Sequence, residues 1–139
     1  MTSKTEVSFV LPFDPMPSPR PQARVIGKFA SFYMPRPYVV WKEQVAEYVR
    51  SQVVKPDDDV FEGPVRVHIE NIVTPPKTTK LPFPSPDIDN YMKSVLDALT
   101  ESGVVWKDDR QAFFVNSIKR WASPGEAAGI RVVLTYGKP

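Results

Sequence analysis

Between Pro86 and Asp109 the chain reads Pro-Asp-Ile-Asp-Asn-Tyr-Met-Lys-Ser-Val-Leu-Asp-Ala-Leu-Thr-Glu-Ser-Gly-Val-Val-Trp-Lys-Asp-Asp, and its chemistry is sought here. Asp87 and Asp89 stand two apart, so in extended chain their side chains point the same way. The pattern predicts a helix over Asp89–Ser102, with Asp89 as N-cap, Asn90 at its first position and Gly103 as the residue that closes it. Lys93 then lies one turn beyond Asp89 on the same face, and Asp97 one turn further. Carboxylates gathered at one spot repel: at ~5 Å and an effective dielectric of ~20, each pair costs on the order of 3 kcal/mol. Either they protonate or a divalent cation sits among them. Oxygen ligands alone select a hard ion such as Mg²⁺ or Mn²⁺. Such an ion with open positions suits phosphodiester hydrolysis, where it activates water and clamps the scissile phosphate. The plainer reading is a capped helix start plus an ordinary Lys93–Asp97 surface pair, worth a few tenths of a kcal/mol.

Composition removes several other chemistries. Cysteine is absent, which excludes disulfides, thiolate zinc sites and a thiol nucleophile. His68 is the only histidine, and the alternation of Val65-Arg-Val-His-Ile-Glu places it with Arg66 and Glu70 on the outer face of a strand. A Ser-His-Asp triad is therefore not expected. No apolar run approaches the ~20 residues that span a bilayer, and Met1–Val7 lacks the apolar core of a signal peptide. The expectation is a soluble, cytoplasmic protein. Its 139 residues suit one domain spanning 1–139, and a hydrophobic fraction of 42% can fill its core. The net charge is only +2, so a nucleic-acid binder has to concentrate its positive charge on one face.

The elements that must position these residues are marked by proline. Fourteen of the sixteen prolines cluster in Pro12–Pro37 and Pro56–Pro86, which predicts loops and sheet edges there. Asp87–Ala122 is free of them. Val7–Leu11 is a first strand and Asp14–Pro21 an extended connector. Arg24–Tyr33, with Gly-Lys at its centre, is a hairpin or an irregular loop with anchored aromatics. Trp41, Val45, Tyr48 and Val49 predict an amphipathic helix over Tyr38–Val54, with Pro37 at its first turn. The triple Asp57-Asp58-Asp59 reads as a solvated loop that follows it. Phe113–Trp121 and Ile130–Tyr136 are two closing strands, joined by a Ser-Pro-Gly loop that suits a hairpin.

The order Asp-Ile-Asp-Asn, Lys three residues after the Asn, Asp-Ala-Leu, Gly, then Asp-Asp resembles the signature of the RusA family of Holliday-junction resolvases. The motif covers about a quarter of the chain, and the order of the flanking elements agrees. The resemblance implies a mixed α/β fold in one small domain, a mixed sheet with two principal helices, assembled as a homodimer. It further implies an endodeoxyribonuclease that uses Mg²⁺, or Mn²⁺, to resolve four-way junctions in recombination and repair, in a family often encoded by prophages. By position, Asp87, Asp89 and one of the late pair bind metal. The family pattern favours Asp109 over Asp108, and Lys93 is the catalytic lysine. Asp97 supports Lys93 and the helix. The dense arginine run that often precedes the first aspartate is replaced here by Thr74-Pro-Pro-Lys-Thr-Thr-Lys80. Lys77 and Lys80, with Lys107 and Arg110, are the DNA contacts expected from their nearness to the carboxylates. Arg20, Arg24, Lys28, Lys119 and Arg120 are further candidates. Rival classes are a nuclease for branched or flap DNA generally, a non-catalytic DNA-binding module, and an interaction protein that binds no DNA.

Overall fold

Alternating apolar residues build the sheet. In β4 (Val65–Val73), Val65, Val67 and Ile69 are buried and Arg66 is exposed, with His68 and Glu70 half-buried on the same outer side. The protein is described by a computed structural model over residues 5–53 and 60–137. Asp57, Asp58 and Asp59, and the end of the first helix expected at Val54, lie outside those residues. Around β4 the order is β1-β6-β4-β5, from β1 (Thr5–Leu11), β5 (Ala112–Trp121) and β6 (Gly129–Tyr136). β6 runs antiparallel to both β1 and β4, whereas β5 runs parallel to β4, so the sheet is mixed.

This order corrects one expectation. β5 and β6 are not hairpin partners, because β4 lies between them. Glu126 N–H bonds to Ser123 O at 2.9 Å and Gly125 takes a φ of 82°, so a turn does form. It carries the chain over one strand instead of back onto itself.

The two helices cover one face of the sheet. Helix α1 (Arg36–Tyr48) has Pro37 in its first turn and continues as a π-helical turn, Val49–Val53. Its Tyr38, Trp41, Val45 and Val49 enter the core, as the spacing predicted. Helix α2 (Ile88–Ser102) adds Val95, Ala98 and Leu99, and Gly103 ends it with a φ of 71°, a left-handed conformation glycine adopts without strain. Because parallel neighbours need a long crossover, α2 is the connection that brings the chain from β4 to β5. That fixes the start of α2 beside the far ends of both strands.

The hairpin is real but stands apart. β2 (Gln22–Ile26) and β3 (Phe29–Tyr33) form their own two-stranded sheet in which every residue is exposed. Gly27, at a φ of 62°, supplies the positive angle that a two-residue hairpin loop requires.

Candidate active site

The acidic segment divides into a helix start and a short turn. Asp87, not Asp89, is the N-cap residue of α2, and its side chain makes no capping hydrogen bond. The backbone N–H groups of Asn90 and Tyr91 bond instead to Asp87 O at 3.1 and 3.3 Å. Asp89 thus sits inside the first turn, near the positive end of the helix dipole. Asp87, Asp89 and Lys93 are all exposed. The helix therefore offers both carboxylates and the ammonium to solvent.

Asp97 has a different partner from the one expected. No ion pair joins it to Lys93 among the described residues; its Oδ2 accepts the Tyr38 hydroxyl at 2.9 Å. Burial and that bond to Asp97 push the Tyr38 hydroxyl well above its ordinary value. Tyr38 comes from α1, so this bond ties the two helices beneath the acidic face. No spacing in the sequence pairs residues 38 and 97.

The late aspartates separate by role. Asp108 caps a 3-10 turn, Asp109–Gln111: its carboxylate accepts Arg110 N–H at 2.9 Å, and Gln111 Oε1 accepts Asp108 N–H at 3.2 Å. The Arg110 N–H holds the Asp108 carboxyl below its ordinary range. Asp109 goes the other way. Partial burial raises it first, then the neighbouring Asp108 and the charge of Asp97, opposed by Lys93. Asp109 is thereby within electrostatic reach of Lys93 and Asp97, across from α2. Asp87 and Asp89 lie one turn and more toward the helix start.

The donor set suits a hard cation. All the candidate ligands are carboxylate oxygens, and the rise at Asp109, due first to its partial burial and then to Asp108 and Asp97, is one that a cation would relieve. Among the described residues no three Asp, Glu or His side chains converge as a ready-made cage. Mg²⁺ does not demand one: it commonly takes one or two carboxylates, waters and the substrate's own phosphate oxygens. His68 faces the opposite side of the sheet, 3.0 Å from Asn116 Nδ2.

The cations are less uniform than the sequence indicates. Lys77 and Lys80 are exposed on the loop before α2, and Arg110 is exposed beside Asp109. Lys107 is paired with Glu62. Arg24 lies over the Tyr33 ring, 5.1 Å from its centre. Arg120 is held by Glu70 and Glu126 on the outer face of the sheet. Lys119 turns inward to Pro84 O and Pro86 O. Asn71, fully buried with neither amide atom hydrogen-bonded, had no signal in the sequence beyond a polar residue within an apolar strand.

Exposed carboxylates beside a lysine, on a scaffold without thiols, are equipment for metal-assisted phosphodiester cleavage, the work of a nuclease. The family model for endodeoxyribonuclease RusA matches residues 12–134 of the 139-residue chain, and the protein belongs to that family. It is accordingly an endodeoxyribonuclease of the Holliday-junction-resolving type, in a family of metal-dependent nucleases. No curated protein matches the chain as a relative. Among the described residues no helix is long and apolar enough to cross a membrane.

Proposed function

We propose that the protein resolves four-way DNA junctions by paired, symmetric nicks, using Mg²⁺ held by Asp87, Asp89 and Asp109, with Lys93 at the scissile phosphate. The observation that carries this assignment is the setting of Asp109. It lies within electrostatic reach of Lys93 and Asp97 on α2, with a carboxyl raised by its surroundings. Asp108 is occupied as a cap, which favours Asp109 as the third ligand. When bound, the cation supplies a nucleophilic water and neutralises charge on the phosphate. The protein's own part is to hold three carboxylates on two elements, and to place the Lys93 ammonium where a phosphate oxygen arrives. Lys77, Lys80 and Arg110, with Lys107, flank the carboxylates in sequence and are the proposed backbone contacts.

Paired nicks on a two-fold symmetric junction are best served by two symmetric sites, so the working form is proposed to be a homodimer in the cytoplasm. The hairpin supports this reading. Cross-strand partners put Ala23 with Phe32 and Val25 with Ala30 on one face, and that face is wholly apolar. On it Val25 and Phe32 are 75% and 72% exposed, while Phe29, 80% exposed, pairs with Ile26 on the other face. Both faces of the arm therefore leave large apolar side chains uncovered, with an aromatic side chain on each. A second copy of the chain is the occupant proposed for this uncovered arm.

The test is incubation of the protein with a synthetic four-way junction and a linear duplex, with and without Mg²⁺. Symmetric nicks in the junction only, and only with metal, are expected. Equal cleavage of flaps and junctions would point to a general branched-DNA nuclease. Metal-independent binding with no nicking would point to a binding module.

A further inference from the structure

Lys119 and Arg120 are neighbours on β5, and the alternation of the strand sends them to opposite faces. Arg120 points outward to Glu70 and Glu126. Lys119, in register with buried Asn71 of β4, lies on the helix side, where α2 begins. Its ammonium donates to Pro84 O and to Pro86 O, each at 2.8 Å. It also lies 5.2 Å from the centre of the Phe83 ring. One long side chain therefore grips the turn Phe83-Pro-Ser-Pro86 from below, and the Pro86 carbonyl belongs to the peptide that leads directly into Asp87.

We propose that Lys119 is a positioning residue for Asp87, which it orients for metal binding by fixing the Pro84 and Pro86 carbonyls; this rests on Asp87 being a metal ligand. The two prolines already lock φ at residues 84 and 86. The freedom left in the turn is the rotation of the peptide planes that follow each proline. Those are the planes whose carbonyls the ammonium holds, with charge-assisted bonds stronger than neutral ones. The Asp87 side chain makes no capping bond of its own, so the peptide before it is what sets its direction. With its donors directed to two carbonyls and its charge on an aromatic face, Lys119 is a poor candidate for a phosphate contact. Groups one step removed from a metal ligand typically account for ~10–100-fold in metal affinity or activity.

The experiment uses the full chain and a synthetic four-way junction, comparing wild type, Lys119→Met, Lys119→Arg and Asp87→Asn. Lys119→Met is expected to raise the Mg²⁺ concentration for half-maximal cleavage about 10-fold. The affinity of the protein–junction complex for Mn²⁺, followed by electron paramagnetic resonance of the free ion, should weaken by a similar factor. Junction binding without metal, and its dependence on salt, should stay as in wild type. Lys119→Arg, which keeps donors and charge, should recover most of the loss. Should Lys119→Met not fold, Lys119→Gln, with fewer donors and no charge, is read in the same assays and should fall between. A folded variant with wild-type Mg²⁺ requirement and Mn²⁺ affinity overturns the proposal. So does a metal requirement left unchanged while the salt slope drops by ~1, which would make Lys119 a phosphate contact. Asp87→Asn separates the two levels: if it cleaves normally, the metal-ligand reading of Asp87 is lost. If it is inactive while Lys119→Met is normal, only the positioning role is lost.

Discussion

The two proline-rich stretches look alike in sequence and end up as opposites in the fold. The second is fastened to the body: Lys119 holds Pro84 and Pro86, and Trp121 Nε1 donates to Leu81 O at 2.7 Å. It delivers the chain to Asp87 in a fixed direction. The first is fastened on either side of its hairpin, where Trp41 Nε1 donates to Asp14 O and Ser18 N–H to Asn90 O, each at 2.9 Å, and where Met34 packs against the core. Its hairpin then projects with every residue exposed. An isolated two-stranded hairpin is marginal in water. Proline density therefore marks where regular structure is interrupted. Whether the interruption becomes a rigid platform or an arm in search of a surface depends on which side chains of the body reach it.

The largest effect should come from the platform's cargo. Asp87→Asn, Asp89→Asn, Asp109→Asn and Lys93→Ala are each expected to lower junction cleavage by on the order of 10²–10³-fold, the scale of losing one group that stabilises transition-state charge. Metal-free binding of the three Asn variants should stay level or tighten, because a carboxylate repels phosphate until a cation neutralises it. Asp108→Asn should cost only several-fold, through a weakened cap; were it the inactive one and Asp109→Asn active, the two aspartates would exchange roles. The arm comes next. Phe32→Glu should weaken self-association roughly 30-fold or more, as for an interface anchor worth ~2 kcal/mol, while the isolated subunit keeps its melting temperature. Light scattering that finds the same dimer in both proteins would remove the hairpin from the interface.

A smaller change is expected at the fastening itself. Trp121→Phe keeps an aromatic ring but loses the bond to Leu81 O, and should lower stability by about 1 kcal/mol, seen in denaturant unfolding. The smallest effect concerns the outer face, away from both stretches. Arg120, followed by the Ser123 N–H, lowers the Glu126 carboxyl to about 2. A depressed carboxylate stabilises the fold above its ordinary value and loses that contribution as pH falls toward about 2. Arg120→Met should therefore reduce stability at neutral pH and flatten its decline in acid. An acid limb unchanged by the substitution would show that this pair does not contribute.

Local pattern alone reached far along this chain. Period-two alternation gave β4 its buried and exposed sides, the spacing of Trp41, Val45 and Val49 gave α1 its core face, and Gly103 marked the end of α2 to the residue. The motif from Asp87 to Asp109 identified the family, because side-chain types at fixed separations along the chain are a property of the sequence itself. What the sequence left open is everything set by partners distant along the chain. Asp87 and not Asp89 became the cap because the tertiary path of the preceding turn decides where the helix begins. The Ser-Pro-Gly turn could not reveal that β4 lies between β5 and β6, since a turn fixes local direction and not which strand is the neighbour. Tyr38 and Asp97, or Lys119 and Pro86, meet only after the crossover through α2 has been made. Those meetings decide which of several similar charges stays available for DNA and metal and which is consumed in holding the site, because each side chain has few donors and the fold determines what they touch first.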